Sequence, residues 1–434
     1  MNYRGISFYL SLFCFPVSIL AFINILYSSY FDFYLSIESY LITLLFSLIL
    51  GSGLIYYGKN ADKKINFIDQ LILIVSVYLV IGFLISIPFY KSNLQISFVN
   101  AFFESISGLT STGFSTFSNV KYLDPTLILW RSSSQWIGGL FFITFLILLF
   151  SNKTFNYKMT NLTFVGDNSF KSEENIKNNI LRIFILYSVL SFIVLVFLKI
   201  SGIRLFNSLN LAMTLISNGG FLPLDNLSDI ISSNFQKFIL ILALTMSMLN
   251  FYFLFNIFNK NTILKEHNED IYLLVFSLIF VLLIYFNNFD ILNLMISVLS
   301  SLANSGLTLT KSDNNLSLYF LFLTIIGGSL ISNSSGIKLS RFYILIKITS
   351  AEIIKLISPN SVINKTIFNS KNKITDENIK ISFLIFISFF ISLFILSSFL
   401  AFDNIGFEKS FKLAILTLTN TVNSDMYNLQ YINF

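Results

Sequence analysis

Three stretches of this sequence set small or polar residues and a glycine just before an apolar one: Ser111-Thr112-Gly113-Phe114, Asn218-Gly219-Gly220-Phe221 and Asn304-Ser305-Gly306-Leu307. Each closes a short apolar segment. Glycine after a short helix lets the chain take positive φ, so successive carbonyl oxygens can turn the same way and stand in for the water around a dehydrated cation. A fourth stretch, Thr419-Asn420-Thr421-Val422-Asn423-Ser424, has the same approach without the glycine. The competing explanation is that these glycines only ease helix packing. That account gives no reason for their fixed place after a short apolar segment.

Other chemistry finds little material. Cys14 is the one cysteine and His267 the one histidine, which excludes an internal disulfide, a His-rich metal site and any redundant Ser-His arrangement. His267 lies in Lys265-Glu266-His267-Asn268-Glu269-Asp270 and reads as part of a solvated loop. There is no glycine loop with its Lys-Ser/Thr for phosphate, no carboxylate pair within a span and no Cys/His ligand set. The expectation is a protein that is not an enzyme and carries no cofactor.

The elements that must position these turns follow from composition. Over 434 residues, 55% are hydrophobic and 12% charged, with a mean hydropathy of +0.75, too little polar surface for a water-soluble globule. Apolar runs at 6–29, 36–57, 66–90, 126–150, 180–202, 236–258, 271–287, 316–347 and 381–401 each have spanning length, giving nine candidate crossings. The first run lacks a small-residue cleavage site and is expected to stay as a span. A cytoplasmic N-terminus places 19 of the 28 Lys/Arg on one side, while the acidic residues divide evenly. The net charge of +6 therefore reads as a topology signal, and nucleic-acid binding is not expected.

Between the spans lie Phe98–Ser111, Phe206–Asn218, Leu292–Ser305 and Phe411–Val422, too short to cross and too apolar for ordinary loops. All four fall on the side opposite the basic loops, each after one full span. The pattern is an internal repeat of span, short helix and span. Irregular backbone survives at membrane depth only where protein or a watery cavity covers it. Four such turns on a pseudo-fourfold axis would supply that cavity, and four helix C-termini, each about half a negative charge, would favour cations. A secondary carrier of an organic solute would instead predict two inverted halves.

These residues resemble the Trk/Ktr/HKT superfamily of potassium transporters, and most of all its TrkH-type membrane subunit. The resemblance rests on the stretch from Ala101 to Phe114, on Trp130-Arg131 with Gln135-Trp136-Ile137-Gly138-Gly139, on Ser217 to Phe221, and on Gly327-Gly328 leading to Gly336-Ile337-Lys338 and Arg341. It implies an all-α integral membrane protein with two N-terminal spans and four span–pore-loop–span repeats around a central ion pore. The corresponding parts are 1–60, 61–155, 156–262, 263–350 and 351–434, the last holding a cytoplasmic linker and an incomplete fourth repeat. It further implies inward K⁺ movement, with Na⁺ as the alternative ion, in a bacterial inner membrane as a homodimer embedded in lipid. Symport and a cytoplasmic nucleotide-binding regulator of TrkA type, docking on the basic loops 151–182 and 338–380, belong to the same implication. Carried over residue by residue, the filter comprises Thr112, Gly113, Gly219, Gly220, Ser305, Gly306, Val422 and Asn423, with Asn423 where the fourth glycine is expected and K⁺ held by the carbonyls of the three glycines.

Two departures bear on conduction. The fourth loop of the family usually reads Asn-Asn-x-Gly-Pro, against Asn420-Thr421-Val422-Asn423-Ser424. The family's final span would follow that loop, whereas the sequence ends at Phe434. The expectation therefore divides among a truncated copy, a partner that fills the gap and a subunit that does not conduct.

Two further features carry alternatives. Glu104, in the first half of the first pore helix, and Arg131, opening the next span, either pair to brace the first turn or stand apart, with Arg131 snorkelling beside Trp130 and Trp136. The run 316–347 is interrupted by Gly327, Gly328 and then Ser332, Asn333, Ser334, Ser335 and Gly336. In the family such a break forms an intramembrane gating loop, and close helix crossing is the structural alternative. Lys338 reads as the cytoplasmic end of that span or as a charge that tunes the gate.

Overall fold

The long apolar stretches fold as helices because a helix satisfies its backbone polar groups within itself. Their scattered hydroxyls follow the same logic by donating to carbonyls one turn back: Ser18 Oγ to Phe15 O at 2.7 Å, Thr43 Oγ1 to Ser39 O at 2.9 Å and Ser86 Oγ to Phe83 O at 2.7 Å. The computed structural model describes residues 1–61, 65–92, 94–117, 119–150, 173–251, 253–254, 268–285, 290–309, 317–361, 365–368 and 373–422. Among these, helices account for the architecture, with one isolated bridge between Thr366 and Lys373. Among the described residues, six helices are long and apolar enough to cross a membrane, in agreement with a multi-pass membrane fold.

The chain divides into two compact units. The first comprises Met1–Thr154 and Ser191–Ile230, the second Phe155–Leu190 and Ile231–Asn433. In the first unit, α1 (Tyr3–Tyr30) and α2 (Tyr34–Gly58) form a hairpin, followed by α3 (Phe67–Tyr90), the short α4 (Phe98–Leu109) and α5 (Pro125–Phe150). The helix α6 (Glu173–Ile200) begins in the second unit and ends in the first, where the short α7 (Leu205–Ser217) follows. The core is a seam of Leu73, Val77, Ile81 and Leu84 on α3, spaced to lie on one face, against Phe13, Val17 and Ala21 of α1 and Ile137, Phe141 and Phe145 of α5. Phe13 meets Phe141 edge-on at 4.8 Å, and Trp130 Nε1 donates to Ile85 O at 3.0 Å, so the one polar atom of that buried ring is satisfied.

The second unit holds α8 (Asn234–Met248), α9 (Asn268–Tyr285), the short α10 (Ile291–Ala303), α11 (Ser317–Ile326), α12 (Leu339–Ile357), α13 (Asp376–Phe402) and the short α14 (Phe407–Leu418). Here α10 packs on α8, α9 and α11, and α14 packs on α13 and α11.

Three elements differ from the sequence reading. The run 236–258 is interrupted after Met248: Leu249 is extended, and helix resumes at Phe251. The ladder opens there because Met248 O accepts from Ser329 N at 3.0 Å and Phe251 N donates to Ile331 O at 2.9 Å, so a distant segment takes over its bonds. The run 316–347 is two helices, α11 and α12, separated by a buried irregular stretch. The fourth short helix starts at Phe407 and not near Phe411; its polar first turn holds Glu408, which pairs with Lys412 at 2.6 Å across one helical turn.

The seam sets the stability of the first unit. Ile81 is fully buried and Val75, on the opposite face of α3, is 60% exposed. Ile81→Ala is expected to cost about 2–5 kcal/mol, the range for emptying a packed site, and Val75→Ala less than about 0.5 kcal/mol. Thermal unfolding of the two variants in detergent checks the contrast.

Candidate functional site

The four short helices end in one backbone device. The residue closing each turn is left-handed: Ser111 at φ +55°, Asn218 at +55°, Asn304 at +61° and Asn420 at +48°. The next amide reaches back five residues: Thr112 N to Ser107 O at 2.9 Å, Gly219 N to Thr214 O at 2.9 Å, Ser305 N to Ser300 O at 3.0 Å and Thr421 N to Leu416 O at 2.9 Å. This is the bond that seals a helix C-terminus after a left-handed residue. Asparagine tolerates that conformation better than other side chains, which explains three of the four positions.

The shared register fixes which residue follows the sealed turn: Gly113, Gly220, Gly306 and Val422. The fourth position is therefore Val422, one residue before the Asn423 that the family pattern suggested; Asn423 itself lies outside the described residues. Among the described residues, Gly113 and Gly306 have positive φ, +91° and +69°, and Gly220 and Val422 do not. A side chain at 422 thus meets no backbone prohibition.

In the first unit, Gly113 and Gly220 lie backbone to backbone: a Cβ on Gly113 would stand 2.8 Å from Gly220 Cα. Ser107 Oγ donates to Phe114 O at 2.5 Å and Thr214 Oγ1 to Phe221 O at 2.8 Å, the same link seven residues along in both turns. One face of α5 holds the pair. A Cβ on Gly138 would strike Leu109 O, so this glycine lets α5 approach the end of α4. Gln135 Oε1 accepts from Phe221 N at 3.2 Å, while Ser111 Oγ donates to Gln135 O at 3.4 Å. Gln135 and Gly138 were not singled out as site residues. Their spacing from Arg131, four and seven residues along one helix face, was the available signal.

Arg131 and Glu104 form an ion pair at 2.8 Å, with 2% and 0% side-chain exposure. Glu104 also accepts from Thr116 N at 2.8 Å, Thr116 Oγ1 at 3.2 Å and Ser115 Oγ at 3.0 Å. Arg131 donates from Nη2 to Ser115 Oγ at 2.9 Å and lies over the Phe221 ring at 4.1 Å, a cation–π contact that joins it to the second turn. The guanidinium is buried in protein and does not snorkel outward.

In the second unit, Gly306 and Val422 are neighbours: a Cβ on Gly306 would lie 2.6 Å from Val422 O. The hydroxyls of Ser300 and Ser305 are hydrogen-bonded at 3.0 Å.

The break between α11 and α12 is closed by its own chain. A Cβ on Gly327 would strike Ser335 O; one on Gly328 would lie 2.6 Å from Met248 O, and one on Gly336 2.7 Å from Ile325 O. Three glycines are therefore required where backbone meets backbone. Ser332, Asn333 and Ser334 are buried, and Ser335 and Gly336 are half-buried. Ser332 Oγ and Ser334 Oγ are 2.7 Å apart, and Gly328 N donates to Ser334 Oγ at 3.0 Å. The Tyr187 hydroxyl is hydrogen-bonded to Asn333.

Lys338 corrects one expectation. It is 5% exposed and does not mark a wet helix end: Nζ turns back to Ser334 Oγ at 2.9 Å, Ser332 Oγ at 3.4 Å and the Ser334 carbonyl. A second correction concerns Glu269 and Asp270, read as part of a solvated charged run in a chain without a carboxylate pair in its spans. They open the first turn of α9 and are 8% and 1% exposed. Glu269 Oε1 accepts from Leu330 N at 3.1 Å and Asp270 Oδ1 from Asn250 N at 2.9 Å, so the pair fastens both the break and the end of α8. The N-terminal position on α9 favours carboxylates.

Comparison with known proteins agrees with this geometry. The family model for TrkH, a cation transport protein, matches residues 36–263. An uncharacterized cation transporter of Methanocaldococcus jannaschii is 29% identical over 369 residues, covering 83% of this chain and 74% of that protein. The Trk system potassium uptake protein TrkG of Escherichia coli is 25% identical, with 86% and 80% covered. The crystal structure of the potassium transporter TrkH from Vibrio parahaemolyticus superposes with a TM-score of 0.82 over 98% of this chain and 91% of that one, at 20% identity.

A double-mutant cycle on Glu104→Gln and Arg131→Gln, read by unfolding in detergent, is expected to give a coupling energy of about 0.5–3 kcal/mol. The reversed pair, Glu104→Arg with Arg131→Glu, is expected not to recover the loss, because Thr116 N would then face a cation.

Proposed function

The chain belongs to the TrkH family of cation transport proteins, and from that premise we propose that it carries K⁺ inward through a filter of backbone carbonyls. The observation that carries this reading is the common turn: four left-handed residues, each followed by the same five-residue reach-back bond. Thr112, Gly113, Gly219, Gly220, Ser305, Gly306 and Val422 are the proposed filter positions, their carbonyl oxygens replacing the ion's hydration shell. The helix ends before the turns add negative potential without an ionised side chain, which favours cations over anions. Glu104 and Arg131 support the first two turns. Gly327, Gly328, Ser332, Asn333, Ser334, Ser335, Gly336 and Lys338 form the gate, braced by Glu269.

Na⁺ preference is the second reading, and Val422 favours it. A valine in the fourth register position replaces the glycine present in the other three and changes the ring's uniformity. The domain reading is two leading spans and four pore units, the fourth beginning within 351–434. The excess of basic residues on one side supports a cytoplasmic N-terminus in a bacterial inner membrane. A homodimer and a nucleotide-binding TrkA-type regulator on the basic face are the proposed partners, and coupling as a symport is part of the same proposal.

Vesicles reconstituted with the protein and offered Rb⁺, K⁺ or Na⁺ test the reading, with imposed H⁺ or Na⁺ gradients testing symport. Uptake of K⁺ and Rb⁺ in preference to Na⁺ is expected. Gly113→Ser, which strains a left-handed position and presses on Gly220, is expected to reduce that preference about tenfold, the equivalent of about 1.4 kcal/mol. Val422→Gly is expected to raise it. The absence of cation movement in the wild type would reject transport, and an unchanged Gly113→Ser would reject the filter. Lys338→Met, which frees Ser332 and Ser334, is expected to raise basal flux without altering the ion preference.

A further inference from the structure

The end of α11 gives a complete account of its orphan carbonyls, and one of the partners comes from outside the break. A helix leaves its last four carbonyls without intrahelical donors. Leu323 O accepts from Gly327 N at 2.9 Å, Ile325 O from Ile337 N at 2.9 Å and Ile326 O from Lys338 N at 2.9 Å. The remaining one, Thr324 O, accepts from Asn304 Nδ2 at 2.9 Å. Asn304 is the left-handed residue that closes the third turn, two residues before Gly306. The same Nδ2 donates to Thr421 Oγ1 at 3.1 Å, in the fourth turn. Its Oδ1 is buried without a hydrogen-bond donor, 3.3 Å from where a Cβ on Gly327 would lie, and so faces the first residue of the break. Asn304 is 2% exposed.

The first turn makes the contrast plain. Ser111 stands where Asn304 does and also points at the following span, through Gln135 O at 3.4 Å. That carbonyl lies inside α5, which continues to Phe150, so its helical partner is already in place. The bond from Asn304 reaches a carbonyl that has lost its helical partner because the span breaks. It supplies that carbonyl's donor in the arrangement where α11 ends at Ile326 with the break folded back on it.

We propose that Asn304 is the positioning residue that couples the ion filter to the gating loop. One amide group ties the third turn, the fourth turn and the start of the break into a single unit. A cation held at Gly306 and Val422 then fixes the turn that caps α11, and an empty filter releases it. The inference rests on the transport reading and deepens it, since it assigns how occupancy of the filter reaches the loop.

The test places a reporter in the break and varies the ion. In a Cys14→Ala background, Ser335→Cys in reconstituted vesicles is treated with a charged methanethiosulfonate reagent on both sides, in K⁺ or in choline at equal ionic strength. The modification rate is expected to differ about fivefold or more between the two, the lower end of ordinary coupling between sites. Asn304→Gly keeps the left-handed backbone without strain and removes the amide, and it is expected to abolish the difference. Asn304→Asp keeps the shape and loses both donors; it serves the same purpose should the glycine variant fold poorly. Thr421→Val, which loses the link to the fourth turn and the local bond to Thr419 O but leaves the bond to Thr324 O in place, is expected to retain the difference. K⁺-dependent modification that persists in both Asn304 variants, or a parent that takes up Rb⁺ but shows no K⁺ dependence, overturns the coupling. A parent that takes up no cation overturns the transport reading beneath it.

Discussion

The four sealed turns and the broken span depend on one constraint: at membrane depth, an N–H or C=O without a partner inside the protein costs several kcal/mol. The four short helices answer it alike, with a left-handed residue and an amide that reaches back five positions. The broken span answers it with a closed exchange, in which amides from the far side of the break return to the last carbonyls of α11. Side chains enter where the backbone runs out. Glu269 receives Leu330 N, Gln135 receives Phe221 N, and Asn304 supplies Thr324 O.

This constraint also explains why the charges sit as they do. A carboxylate and a guanidinium buried together are stabilising only if their remaining donors and acceptors are filled. Glu104 meets that condition on both oxygens, through Arg131, Ser115 and Thr116. Arg131 adds the face of Phe221, so a single side chain on α5 touches the loop after the first turn and the residue after the second glycine. With Gln135 one turn further along and Gly138 beyond it, one face of α5 serves both turns of the first unit. In the second unit the corresponding task falls to the end of α11, where Thr324 O meets Asn304.

The sequence made the spans and the short helices legible because length and hydropathy alone separate 20-residue runs from 12-residue ones. The break within 316–347 was legible too, since Ser332 to Gly336 is poor material for an unbroken membrane helix. Other features were hidden for physical reasons. The fourth turn is defined by a left-handed Asn420, which leaves no mark as conspicuous as a glycine, so the shared register of Val422 with the three glycines shows only in the fold. The apolar run 236–258 carries no sign of its interruption after Met248, because the bonds there are taken by Ser329 and Ile331, some eighty residues along the chain. Glu269 and Asp270 lie beside Lys265 and Glu266, and a run of charges says solvent unless one knows which backbone amides are waiting for a carboxylate.

The same accounting limits how the break can move. Opening it separates Ile337 N and Lys338 N from the end of α11 and frees Gly328 N from Ser334. In water each such bond is worth only about 0.5–1.5 kcal/mol net, because water replaces the lost partner, whereas in lipid the full desolvation penalty falls due. The loop can therefore open only toward a hydrated path. Lys338 sharpens the requirement, since its Nζ is held by Ser332 and Ser334 in this arrangement and, on leaving them, must find water or another oxygen set. A closed loop whose backbone bonds are made internally and an open one whose bonds only water could replace would make a two-state element.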